Sequence, residues 1–114
     1  MSGNDRTRLQ HMLDAAVEAL SFVSSKTWND LIVDRLLILA LTRELEIIGE
    51  AAGKVSPECR VSFPKIPWAA AIGIRNRLIH AYFEVDLEIL WSTVVSDLPD
   101  LIRELENALF REPS

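Results

Sequence analysis

Apolar residues recur at three- and four-residue steps along nearly the whole chain, and no stretch alternates apolar with polar as a half-buried strand does. Such a chain must bury helical stripes against one another. The pattern therefore predicts an all-α fold, an antiparallel bundle of four or five helices. Leu9, Leu13, Ala16, Leu20 and Val23 form the first stripe, on a helix from about Asp5 to Ser24. His11 lies off that stripe and is expected in solvent. A second helix, capped by Asn29 or Asp30, is expected to run to about Gly53 through Leu31, Leu36, Leu37, Leu41, Leu45, Ile48 and Ala52. Its apolar face is too wide for one contact, so it implies cover from neighbouring helices or from a second subunit. Gly49 and Gly53 suit close backbone approach, and Gly53 suits a C-terminal cap equally well. Glu46 and Glu50 share a face without a histidine at metal-ligand spacing, which reads as a solvated acidic ridge.

Ser56-Pro57, Phe63-Pro64 and Ile66-Pro67 make Val55 to Pro67 an irregular connection with one short helical turn. Pro67 is placed to start a third helix at Trp68, running through Ile72, Ile74, Leu78 and Ile79 to about Ala81. Asp86 caps a fourth helix carrying Leu87, Leu90, Trp91, Val94 and Val95. Pro99, with Asp97 as a new cap, is expected to kink or divide it before Leu101 to Phe110. Trp28, Trp68 and Trp91 sit in helical contexts and read as core or interface anchors.

With 114 residues and 49% hydrophobic content, the chain has the size of a single domain, 1–114, able to bury roughly two thirds of the surface its unfolded form exposes. Cys59 is the only cysteine, which rules out an intrachain disulfide and fits a reducing cytoplasm. The N-terminus lacks the apolar run of a secretory signal. The strongly apolar segment Leu36 to Leu41, flanked by Arg35 and Arg43, is far shorter than the roughly 20 residues of a membrane span. A cytoplasmic protein without membrane contact is expected. A net charge of −5 and a pI of about 5.0 argue against any role that needs broad adhesion to nucleic acid. Local chemistry on RNA remains open, because an enzyme needs cations only around the scissile phosphate.

Ile74-Arg75-Asn76-Arg77-Leu78-Ile79-His80-Ala81-Tyr82-Phe83 concentrates such chemistry at an expected helix end. On a regular helix Asn76 lies one turn below His80, Arg77 lies about 60° from it, and Arg75 about 140° away. Asn76 and Arg77 can then touch the imidazole, whereas Arg75 needs its length, a loosened last turn or a partner subunit. RNA cleavage without a metal or other cofactor requires a base for the 2′-hydroxyl, an acid for the leaving 5′-oxygen and cations for the phosphorane. Histidine and arginine supply these groups, but two proton transfers need more than one His80, and a homodimer would provide the second. On residue content alone, a lone histidine beside arginines at a helix end is more often a capping or ion-pairing group.

Arg75-Asn76-Arg77-Leu78-Ile79-His80 matches the R-x(4–6)-H motif of HEPN ribonucleases. Glu46-Ile47-Ile48-Gly49-Glu50-Ala51-Ala52, Pro67-Trp68, Val85-Asp86-Leu87, Leu90-Trp91 and Asp97-Leu98-Pro99 surround it in the order found in the HepT group. The chain resembles that group over nearly its whole length. The resemblance implies an all-helical homodimer with an R-x(4)-H-x-Y active site in the dimer cleft. It also implies endoribonuclease activity, as the toxin of a type VII-like toxin–antitoxin pair restrained by a minimal nucleotidyltransferase. The catalytic residues it implies are Arg75 and His80, with Asn76 orienting His80 and Arg77 in electrostatic support. Tyr82 matches the tyrosine that the partner modifies with AMP. Ala81 departs from the pattern by standing where glycine is frequent. A rival reading is a non-catalytic helical module that only binds the nucleotidyltransferase, which the intact Arg75 and His80 oppose. A non-catalytic RNA-binding domain is opposed by the acidic charge.

Overall fold

The computed structural model describes residues 1–79 and 84–110 of the chain. Its long helices begin where short polar side chains offer an acceptor to a backbone amide that helix geometry leaves unpaired. The Ser2 hydroxyl accepts from the Asp5 N–H at 3.0 Å and opens α1 (Gly3–Phe22). Asp34 accepts from Leu37 N–H at 3.0 Å and opens α3 (Arg35–Gly53). The expected single helix from Asn29 to Gly53 is therefore two. Thr27 caps a short α2 (Trp28–Ile32), and Asp30 serves as its capping-box partner, returning a hydrogen bond to the Thr27 N–H at 2.8 Å. The chain then breaks at Val33 and Asp34, because Asp34 stabilises a new helix start better than it continues the old one.

The proline-rich connection holds one short helix, α4 (Pro57–Ser62), as expected. Arg60 folds back from it to donate to the carbonyls of Ala52 and Gly53, closing the C-terminal end of α3. Asp5 ties the start of α1 to the start of α4 by accepting from both the N–H and the hydroxyl of Ser56, and these bonds lower its pKa. The Trp68 indole N–H donates to the carbonyls of Arg60 and Phe63, which fixes where the next helix begins.

That next helix is shorter than the periodicity suggests. It divides at Gly73 into α5 (Trp68–Ile72) and α6 (Ile74–Leu78), and Ile79 is already extended. The helix expected to reach Ala81 thus stops three residues earlier, where Ile79 forms an isolated antiparallel bridge with Val85. Asp86 caps α7 (Leu87–Ser92) as expected. Pro99 does not divide the helix that follows. The chain instead widens into a π-helical turn, Thr93–Asp97, and continues as α8 (Leu98–Phe110), with the Leu98 N–H reaching back to the Thr93 carbonyl. A proline ring clashes with the carbonyl four residues before it, and the wide turn immediately upstream gives it room.

These helices form an all-α bundle, with no strand among the described residues. α1 packs on α3 and α8, while α5 and α6 pack on α3. Leu9, Met12, Leu41, Leu45, Leu90 and Leu105 fill the centre. No helix among the described residues is long and apolar enough to cross a membrane.

One carboxyl group sits badly in this core. Glu44 is buried on α3, its Oε2 has no hydrogen-bond partner, and Glu18 of α1 faces it. Burial, then the hydrogen bond and negative charge of Glu18, push its pKa up to about 7, against a smaller opposing pull from Arg43. The folded chain therefore holds a proton that the unfolded chain releases above about pH 4.5. This contribution to stability is full at low pH and is lost as pH rises toward 7. Relative to Glu44→Gln, which keeps its uncharged amide, the wild type should lose Tm steadily between pH 5 and pH 8. A Tm difference between the two that stays constant over that range would show that Glu44 is not titrating there.

Candidate active site

Of the residues singled out by sequence, Arg75 and Glu46 meet where α3 packs on α5 and α6, and Gly49 sets how closely these helices approach. A Cβ at Gly49 would lie 2.9 Å from the Ala71 carbonyl oxygen and 3.2 Å from Ile74 Cγ2. Only glycine lets the backbones come this near. Gly53, by contrast, has open space around it and makes no close approach.

The contact places Arg75, on the exposed side of α6, against Glu46 on α3. The two form a short charge-assisted ion pair, with Glu46 the more buried member. Glu46 is therefore not part of a solvated ridge. Glu50 keeps that character, exposed and paired at 3.3 Å with exposed Arg43. A hollow of about 240 Å³ lies between these elements, lined by Glu46, Gly49, Glu50, Ile72 and Arg75. Near the start of α3, Leu36 is 80% exposed and Leu39 47%, and Val33, in the break before that helix, is 83% exposed.

Arg77 does not join Arg75. Two positions apart on a helix is a rotation of about 200°, so Arg77 projects from the opposite side of α6. There it lines a separate cleft of about 340 Å³ between α5, α6, the π-helical turn and α8. Asn76 is exposed between them, its N–H bonded to the Gly73 carbonyl. Regular α-helical geometry ends at Leu78, with Ile79 extended, so the helical spacing read from Asn76 and Arg77 is described no further than Leu78. His80 and Tyr82 lie outside the described residues. The ends of their segment are joined by the Ile79–Val85 bridge and by the Asp86 N–H, which donates to the Leu78 carbonyl at 2.8 Å.

Sequence reasoning missed Glu46 as a partner of Arg75. Its spacing carried a signal, since Glu46 lies three residues before Gly49 and so shares the face that glycine brings against α5 and α6.

The structure is thus an all-helical bundle that holds an exposed arginine against a carboxylate beside a surface hollow. The family model for Ribonuclease HepT-like proteins matches residues 12–108, and the chain belongs to that family. It is 37% identical to Putative RNase MJ1380 of Methanocaldococcus jannaschii over 86% of this chain and 90% of that one. It is 35% identical to Putative RNase TTE0752 of Caldanaerobacter subterraneus over 94% and 96%. With Probable ribonuclease HepT of Thermococcus cleftensis it shares 37% identity over 82% of this chain and 89% of the relative. No solved structure matches the chain.

The two glycines of α3 should respond oppositely to the same substitution. Gly49→Ala forces α5 and α6 away and should cost about 1–3 kcal/mol, the usual range for overpacking. Gly53→Ala meets nothing and should gain roughly 0.5–1 kcal/mol from helix propensity. Denaturant unfolding of both variants decides it, and equal effects would refute the close approach at Gly49.

Proposed function

We propose that this protein is a metal-independent endoribonuclease acting as a homodimer, with Arg75 and His80 at its active centre. The observation that carries the reading is that Arg75, the arginine of the R-x4-H sequence in a ribonuclease family, stands exposed against α3, a helix that also carries the bare side chains of Leu36 and Leu39. A second copy covering Val33, Leu36 and Leu39 would bury a patch that is costly to leave in water and would bring two copies of the motif to one cleft.

In the reaction, one His80 takes the proton of the ribose 2′-hydroxyl as its oxygen bonds to phosphorus. His80 of the partner subunit, protonated, gives a proton to the departing 5′-oxygen. The 2′-O–P bond forms and the P–O5′ bond breaks, leaving a 2′,3′-cyclic phosphate and a 5′-hydroxyl. Arg75 holds the phosphorane oxygens through its planar guanidinium, and Glu46 keeps that group oriented until RNA arrives. Asn76 orients His80. Arg77, facing away from Arg75, acts on the RNA only through a contact outside this centre.

The reading extends to regulation. The chain, 1–114 as one domain in the cytoplasm, is the toxin of a type VII-like pair, and a minimal nucleotidyltransferase antitoxin attaches AMP to Tyr82. The added phosphate competes with RNA for Arg75. The Glu46–Arg75 ion pair favours one rival, a non-catalytic module in which Arg75 is structural and the chain only binds that partner.

Cleavage of RNA in EDTA separates the two readings. His80→Ala should lower the rate roughly 10²-fold or more while the helical circular dichroism stays unchanged. Activity that survives this substitution, or that vanishes with the chelator, would remove the proposed mechanism. Mass in dilute solution should report a dimer that Leu36→Glu dissociates and inactivates, and a monomer that still cleaves would refute the composite site. With the partner, ATP and magnesium, AMP-sized mass should appear on wild type and not on Tyr82→Phe.

A further inference from the structure

The cleft on the Arg77 side of α6 has a composition of its own. Its floor is apolar, built from Leu45, Ile48, Leu98 and Leu101. Its rim is divided by charge. Lys65 and Arg77 stand on the α5–α6 side, and Asp97, Asp100 and Glu104 on the π-turn and α8 side. Asp100 pairs with Arg103 at 2.7 Å, but Lys65, Arg77, Asp97 and Glu104 make no ion pair with any described residue. Cations and carboxylates thus face one cleft of about 340 Å³ without neutralising each other.

A ligand matching this rim carries an anion at one end, N–H donors at the other and a flat, weakly polar body between them. A dicarboxylate would meet the three acids, and a polyamine would meet Lys65 and Arg77. A nucleotide satisfies all three requirements. Its phosphate suits a guanidinium and an ammonium, its base face suits aliphatic side chains, and the exocyclic amine of adenine, guanine or cytosine donates to a carboxylate. Uracil carries no exocyclic amine and offers a carboxylate only its ring N3–H, flanked by two carbonyl oxygens, so it matches this edge less well. The volume falls within the range of small-molecule sites, and π-helical turns such as the one ending at Asp97 are frequent at functional sites.

We propose that this cleft binds a ribonucleotide with an amino-bearing base, its phosphate toward Lys65 and Arg77 and its base toward Asp97 and Glu104. The site lies on the other side of α6 from Arg75 and goes beyond the cleavage reaction, which it does not require.

Amide NMR of the full chain titrated with AMP, UMP and inorganic phosphate tests this. AMP should shift residues around the cleft and bind about tenfold more tightly than UMP, the scale of one well-placed polar contact to a base. Phosphate alone should bind more weakly than either nucleotide. Arg77→Ala should weaken AMP binding about tenfold. The double variant Asp97→Asn, Glu104→Gln should abolish the preference for AMP over UMP. Ala70→Trp, placed at an exposed position on the cleft wall, should block binding without disturbing the core. Equal binding of AMP, UMP and phosphate would reduce the site to anion adhesion and overturn the proposal. So would AMP binding that Ala70→Trp leaves undiminished.

The His80→Ala chain, expected to bind AMP as wild type does, allows an adenine-containing RNA to be added without cleavage. Displacement of AMP by that RNA identifies the occupant as a nucleotide unit of RNA. Failure to displace it identifies a free nucleotide. Either result supports the site, and absent RNA cleavage by the wild type would remove the catalytic reading while leaving AMP binding to stand or fall on its own.

Discussion

The approach of α3 to α5 and α6 at Gly49 is the contact on which the rest of the site depends. Without a side chain at that position the Ala71 carbonyl comes within contact of the α3 backbone, and α6 is held one short turn beyond. From that follow the meeting of Glu46 with Arg75 and the hollow beside them. The ion pair is the consequence of the packing and not its cause. A pair more than half exposed on its arginine side is screened by water and contributes little to stability. Its role is orientation, because a guanidinium tethered to a carboxylate samples fewer rotamers than one loose in solvent.

α3 therefore works on several sides at once. Leu41, Leu45 and Ile48 close the core, Gly49 and Glu46 shape the site, and Leu36 and Leu39 remain bare. This explains why its apolar face is wider than a surface helix needs. Glu44 lies on the same helix, against Glu18, where an apolar residue would have packed without penalty. A buried carboxyl at a helix contact is tolerated at low pH and becomes unfavourable as it ionises, so its contribution to stability fades as pH rises from about 4.5 toward 7.

How much of this was legible in the sequence depended on whether the signal was local. The helical class, the Asp86 cap, the short helix within the proline-rich connection and the wide face of α3 all followed from periodicity and capping, which operate over a few residues. The breaks at Asp34 and Gly73 were missed because the apolar period runs straight through both. At Asp34 the competing signal, a side chain able to cap a new helix, is itself local but was outweighed by the pattern. At Gly73 it is tertiary, since α6 changes direction to pack on α3. At Pro99 the chain departs from α-helical geometry just upstream, in a π-helical turn, where the sequence points to a new cap at Asp97. Glu46 as the partner of Arg75 was invisible from composition, because it depends on which face Gly49 presents.

The ending of α6 at Leu78 matters most for chemistry. A regular helix through residue 80 would set positions 75 and 80 about 140° apart, and the described helix ends before that, at Leu78. By leaving helical geometry at Ile79, the chain separates the motif into a helical half that carries the arginines and a following segment whose ends are fastened by the Ile79–Val85 bridge. The same short helix then sends its two arginines to opposite sides, each toward acidic side chains on another element: Arg75 is paired with Glu46, and Arg77 shares a cleft with Asp97 and Glu104. In a chain with net charge −5, each of these two guanidiniums thus sits among carboxylates, and neither adds to a broad basic surface.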